Sequence, residues 1–176
     1  MLYPSRCHGI TLIEILVVIA LLTTSLMLAI PSLAGFWDRT RLKGAAAQLS
    51  NDLRLARTEA VQRNTTVRWT WYPQAQGSCY LLHTAQANQC TCTAGVARCG
   101  AEATLIKAVH WKASERVALQ ATVRSIGFDP RLGTSTPAAR LHLGTPAGLG
   151  MDHVVNVMGR IRSCASTRNL LGLPVC

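Results

Sequence analysis

Residues 10–30 read ITLIEILVVIALLTTSLMLAI, and this stretch decides the architecture. Glu14 is its one charge. As a helix rising about 1.5 Å per residue, it is roughly 30 Å long, the thickness of a bilayer's hydrocarbon core. A secretory signal peptide would place a small-residue cleavage site after such a run. Here the leader's only glycine, Gly9, stands just before it, at the end of the short basic segment MLYPSRCHG. Cutting after Gly9 leaves the apolar helix on the mature chain. The sequence therefore divides first into a leader, residues 1–9, and a retained membrane helix, residues 10–30.

The residues at that junction, Gly9-Ile10-Thr11-Leu12-Ile13-Glu14, resemble the prepilin signature Gly-Phe-Thr-Leu-Ile-Glu of type IV pilins and type II secretion pseudopilins. The resemblance implies that a prepilin peptidase cuts between Gly9 and Ile10 and methylates the new amino terminus. It also implies that Glu14 is the assembly glutamate. Ile10 stands where Phe is usual, a place where the family accepts other apolar residues, and Pro31 lies where many pilins carry a kinking proline. Glu14 makes physical sense in this setting. An intramembrane carboxylate costs a few kcal/mol unless paired, and cleavage would create an ammonium four residues away, within one chain or on a filament neighbour. The bland alternative is a solvated carboxylate at the headgroup level.

Beyond Pro31 the pattern becomes amphipathic. Leu42, Ala45, Ala46, Leu49, Leu53, Ala56, Ala60 and Val61 recur at steps of three and four, and Arg39, Lys43, Arg54, Arg57 and Arg63 fall mostly off that stripe. Glu59 precedes Arg63 by four residues in the favourable orientation, and Asn64 with Thr65 and Thr66 supplies a stop. Residues 31–64 are thus the second half of one long helix that covers a soluble domain. The run Ala56-Arg57-Thr58-Glu59-Ala60-Val61-Gln62-Arg63 resembles that of the FimT/FimU, GspH-like branch of minor pilins, and serves as an identifier without chemistry of its own.

From residue 65 to residue 176 the texture is β. Strands are predicted over residues 65–72, 79–84, 103–111, 117–128, 139–143 and 153–163, punctuated by glycine and proline. A long helix followed by several short strands makes an α+β protein, the helix packed on an antiparallel sheet. This agrees with the pilin fold that the resemblance implies.

Seven cysteines are many for 176 residues. Cys7 leaves with the leader, and Cys79, Cys90, Cys92, Cys99, Cys164 and Cys176 remain, an even number suited to disulfides in an oxidising compartment. Six cysteines allow 15 connectivities. Cys164 with Cys176 is the preferred pair because it closes a short C-terminal loop. Cys79, Cys90, Cys92 and Cys99, with His83 nearby, pose a zinc alternative, but they lack paired C-x-x-C knuckles. Cysteine nucleophile chemistry is disfavoured because each mature cysteine has a bridging partner at hand. No cofactor, metal or enzymatic activity is expected.

The chain carries 18 Lys plus Arg against 8 Asp plus Glu, a net charge of +10, and only Lys43, Lys107 and Lys112 among these cations are lysines. Such a balance points to an anionic partner, and guanidinium forks onto phosphate. From residue 116 onward there are seven arginines against Asp129 and Asp152. Among them lies Gly159-Arg160-Ile161-Arg162. On a strand, Arg160 and Arg162 share a face about 6.6 Å apart while Ile161 faces the core. That spacing is close to two axial phosphate steps of one DNA strand, about 3.4 Å each. Gly159 permits close backbone approach or starts a bulge.

This motif resembles the C-terminal Gly-Arg-x-Arg of FimT-type minor pilins. The resemblance implies binding of extracellular DNA during natural transformation, through phosphates and with little sequence preference, by Gly159, Arg160 and Arg162 with Arg168 close by. The implied partners are DNA, other major and minor pilins and the prepilin peptidase. The implied location is the bacterial inner membrane, single-pass with the C-terminal domain periplasmic, and then the extracellular pilus. Two alternatives remain. One is a structural minor pilin or GspH-like type II secretion pseudopilin whose basic face meets an acidic neighbour. The other is a binder of anionic lipid, disfavoured because the basic residues lie far along the chain from the span.

Overall fold

The computed structural model describes residues 11–74, 77–166 and 172–176, without the side chains of residues 28–34. It divides into two units, Met1–Trp37 and Asp38–Cys176. Helix α1, Leu12–Arg63, contributes to both.

In the first unit, α1 starts on Thr11, whose carbonyl accepts the amide of Glu14 at 3.1 Å and whose hydroxyl faces the same amide at 3.4 Å. Thr11 and Glu14 have the spacing of a capping box, and the acid stands in the first turn, where the helix dipole favours it. Farther along, the hydroxyls of Thr23 and Thr24 donate to the Ala20 carbonyl at 2.9 and 3.0 Å, and Ser25 donates to Leu21 at 2.8 Å. The hydroxyls of Thr23, Thr24 and Ser25 are therefore satisfied within the helix. Leu12, Ile13, Leu16, Ile19, Leu22 and Met27 are exposed. Among the described residues no helix is long and apolar enough to cross a membrane. The expected span, residues 10–30, includes Ile10 and the side chains of residues 28–30, which lie outside that description, as does the side chain of Pro31.

The second unit is built where the amphipathic stripe meets two antiparallel sheets. Leu42, Ala45, Ala46, Leu49, Leu53, Ala56 and Ala60 are all buried, whereas Val61, read as part of the stripe, is 48% exposed. One sheet has the order β5-β2-β1-β7-β8, formed by β1 (Val67–Gln74), β2 (Gly77–Thr84), β5 (Leu105–Trp111), β7 (Ser125–Phe128) and β8 (Ser135–Thr136). The other has the order β11-β10-β9-β6, from β6 (Ala118–Ala121), β9 (Ala139–Gly144), β10 (Gly150–Val155) and β11 (Ile161–Ala165). Between β2 and β5 stands a separate hairpin, β3 (Cys90–Thr93) with β4 (Val96–Cys99). Trp69, Tyr80, Ile126 and Phe128 from the first sheet and Leu141, Leu143 and Val155 from the second join the helix stripe in one core. This is the α+β, pilin-like architecture expected from the sequence.

Two predicted elements differ, and one hairpin was not predicted. The strand expected over residues 117–128 is two strands in different sheets: β6 pairs with β9, and β7 pairs with β1. The strand expected over 153–163 is broken by the turn between β10 and β11. The β3–β4 hairpin was not anticipated, since its strands are short and rich in Cys and Thr rather than large apolar residues.

Disulfides tie the hairpin and the C-terminal tail to the sheets. Cys90 and Cys99 face each other in the β3–β4 register and are bonded, and Cys79 to Cys92 ties that hairpin to β2. Cys164 and Cys176 are bonded, and the tail returns to β11 through the Ala165 amide on the Pro174 carbonyl and the Cys176 amide on Ala165. The four cysteines of the zinc alternative are thus joined to one another. His83, its nearby imidazole, is a buried core group between the Thr70 hydroxyl and the Thr84 carbonyl at 3.0 and 2.7 Å.

Candidate nucleic-acid interface

Arg160 lies not in a strand but at the base of the turn joining β10 to β11. The Asn156 amide donates to the Arg160 carbonyl at 3.1 Å, the Gly159 amide donates to the Asn156 carbonyl at 2.9 Å, and the Arg160 amide donates to the Asn156 carboxamide at 2.9 Å. These bonds close a three-residue loop, Val157, Met158 and Gly159, with Gly159 at φ +71° in the left-handed position that such loops assign to glycine. The expected strand alternation therefore applies to Arg162 alone. The pattern of exposure nevertheless holds: Arg160 and Arg162 are exposed, and Ile161 is half-buried against the core.

The loop is seated on its neighbour. The Ser135 amide and hydroxyl donate to the Val157 and Asn156 carbonyls at 2.9 and 2.6 Å. A Cβ on Gly159 would lie 2.2 Å from the Gly133 carbonyl oxygen. Gly159 starts no bulge: the β10–β11 register is unbroken, and the residue holds the left-handed position of the turn against the Gly133 backbone.

Charge around this loop is uncompensated. Among the described residues, Asp38 pairs with Arg116, Asp52 with Lys107, Glu59 with Arg63, and Asp152 with Arg140 and His142. Asp129, on the adjoining loop, accepts the amides of Arg131 and Leu132, and these bonds hold its carboxyl below the usual carboxylate range. Among the described residues, Arg160 and Arg162 have no carboxylate partner. Arg162 stands opposite Val154, whose other register partner is Arg140, so the two arginines flank one valine from the strands on either side of β10.

Beside the loop lies a cavity of about 350 Å³ lined by Arg54, Arg57 and Thr58 of α1 and by Gly159, Arg160 and Ile161. The helix arginines were legible only as a solvated face. Nothing local in the sequence reveals a neighbour about a hundred positions away. Arg168, Gly9 and Ile10 lie outside the described residues, and Glu14 is exposed in the first turn of α1.

Comparison with known proteins completes the picture. The structure is similar to that of the type IV minor pilin FimU of Pseudomonas aeruginosa PAO1, with a TM-score of 0.53 and 19% identity over 72% of this chain and 90% of that one. No curated protein sequence matches the chain. Residues 4–30 match the prokaryotic N-terminal methylation motif. Residues 45–159 match the family described as type II transport protein GspH. That match runs from Ala45 on α1 through β1 to β10 and ends at Gly159, before β11; it covers more than half of the chain, and on it the chain belongs to the GspH family.

Proposed function

We propose that the protein is a minor type IV pilin that binds extracellular DNA during uptake by natural transformation. The observation that carries this reading is the hydrogen-bonded loop at Asn156–Arg160, which presents Arg160, followed by Arg162, with no carboxylate among the described residues to neutralise either. Two exposed guanidiniums, one at the base of a hydrogen-bonded turn and one on β11, suit phosphate contacts, which position a duplex without reading its bases. Arg168 is assigned to the same patch from the sequence.

The N-terminal half supplies the assembly. Cleavage between Gly9 and Ile10 and methylation of the new terminus fit the matched methylation motif. Residues 10–30 then hold the chain in the inner membrane with its C-terminal domain in the periplasm, and later pack among other pilins in the filament. The exposed apolar side chains and self-satisfied hydroxyls of Thr23, Thr24 and Ser25 support that reading. Glu14 pairs with a processed amino terminus. The role is structural and binding rather than enzymatic, and movement of the pilus toward the cell is powered by other proteins.

A second reading is favoured by the family description itself, a type II transport protein. In it, the chain is a structural minor pilin or pseudopilin, and its basic face meets an acidic subunit. Gel shift of two duplexes of unrelated sequence by the detergent-solubilised full chain separates the two. The DNA reading predicts equal shifts for both duplexes and their loss with Arg160→Ala plus Arg162→Ala. Absence of any shift leaves the structural role.

A further inference from the structure

Arg54 and Arg57 converge with Arg160 on one small cavity, although they come from the helix and it from the β10–β11 turn. Residues three apart on a helix share a face, with Cβ atoms about 5–6 Å apart, so Arg54 and Arg57 present their charges together. The Arg57 guanidinium is seated on the two glycines of the neighbouring loops. A Cβ on Gly133 would lie 2.7 Å from its Nε and 3.5 Å from its Nη2, and one on Gly159 would lie 3.2 Å from Nε. Bare backbone at both positions gives the planar group its place.

Among the described residues neither helix arginine has a carboxylate partner, and the nearby acids on α1 are engaged elsewhere: Asp52 with Lys107 and Glu59 with Arg63. Three like charges around one cavity repel, and an anion between them removes that cost. At about 30 Å³ per water, the cavity has room for a phosphate group with part of its hydration.

We propose that Arg57, flanked by Arg54, is a phosphate-binding residue that acts across the cavity with Arg160 and carries the DNA backbone from the β10–β11 loop onto α1. This rests on the DNA-binding reading and adds a second contact line to it. The duplex then crosses the junction of helix and sheet instead of following β11 alone. Guanidinium is suited to this because it bonds phosphate oxygens in pairs, whereas lysine offers only a point charge.

The test is fluorescence anisotropy of a labelled duplex titrated with the detergent-solubilised full chain at several salt concentrations. Arg57→Gln is expected to weaken binding about tenfold and to make the log–log salt slope shallower by about 0.9, the loss of one phosphate contact. Arg57→Lys keeps the slope and loses part of the affinity. The unfolding midpoint is measured alongside, and Arg54→Gln repeats the test should Arg57→Gln loosen the fold. Unchanged affinity and slope in both glutamine variants overturn the inference, and the DNA reading still stands if Arg160→Ala plus Arg162→Ala abolishes binding. Failure of the unsubstituted chain to bind duplex overturns both. Binding to phosphatidylglycerol vesicles that depends on Arg57, with duplex binding unaffected, also overturns the inference.

Discussion

The Gly133 carbonyl oxygen faces Gly159 so closely that a single added carbon on Gly159 would lie 2.2 Å from it. Both loops have rigid reasons for their positions, since Asp129 organises one and Asn156 the other. Gly159→Ala therefore combines a left-handed backbone, costing about 1–2 kcal/mol for any other L-residue, with a clash against backbone that cannot rotate away. We expect a loss of at least about 2 kcal/mol in urea unfolding. Met158→Ala, on the exposed crest of the same loop, should stay within about 0.5 kcal/mol of the parent. Equal stability for the two variants would show that the loop is free to move.

The C-terminal disulfide is expected to act through chain entropy. Cys164 and Cys176 are separated by 12 residues, and closing a loop near that size is worth about 3 kcal/mol. Replacing both by serine should lower the unfolding free energy by roughly that amount and release the bonds that Ala165 makes with Pro174 and Cys176. Amide hydrogen exchange at Ala165 and Cys176 checks the second effect. Slow exchange at both positions in the variant would show that the hydrogen bonds alone hold the tail.

Asp52 is a buried carboxylate with two partners, the Tyr80 hydroxyl at 2.8 Å and the Lys107 ammonium at 2.5 Å. Burial first, and then the Asp52 charge, push the Tyr80 phenol far above its ordinary range. Asp52→Asn keeps an acceptor for Tyr80, and Lys107, about a third exposed, turns to water. That change should cost about 1 kcal/mol. Asp52→Ala leaves the buried hydroxyl unpaired and should cost about 3 kcal/mol. Similar losses for the two variants would mean that the ion pair, not the hydroxyl, dominates.

How far the sequence could be read is clear from these sites. The stripe from Leu42 to Ala60 is legible because a helix repeats its core face locally, and the apolar run with Glu14 is legible from length alone. The change of sheet between Ala121 and Ser125 was not, because β-rich composition continues through it while the partners, β9 and β1, are distant in sequence. Arg160 and Arg162 could be picked from their motif, yet the turn holding Arg160 depends on Asn156 and on the space left at Gly133. The approach of Arg57 to that turn is a purely tertiary fact.

Stability should fall on mild acidification. His83 and His153 are buried, and burial is the main cause that lowers both imidazole pKa values. His153 bonds the Ser163 hydroxyl through Nδ1 at 2.8 Å, and for this imidazole burial outweighs the opposing effects of the Ala46 backbone and the Asp152 charge. The unfolded chain takes up protons near pH 6.5, where the folded one resists them, so the unfolded state binds more. The stabilisation is complete above about pH 6.5 and is lost as pH falls toward the lowered folded values. Thermal midpoints should drop between about pH 7.5 and 5, and less steeply in His153→Gln. A midpoint independent of pH over that window contradicts neutral burial.

The central claim is a phosphate contact made by Arg160 and Arg162, and the salt dependence of duplex binding tests it most directly. For the detergent-solubilised full chain, log affinity should fall linearly with log salt. Arg160→Ala plus Arg162→Ala should weaken binding at each salt concentration and flatten the slope by about 1.8, the signature of two lost phosphate contacts. The same affinity and slope for parent and variant would contradict the account.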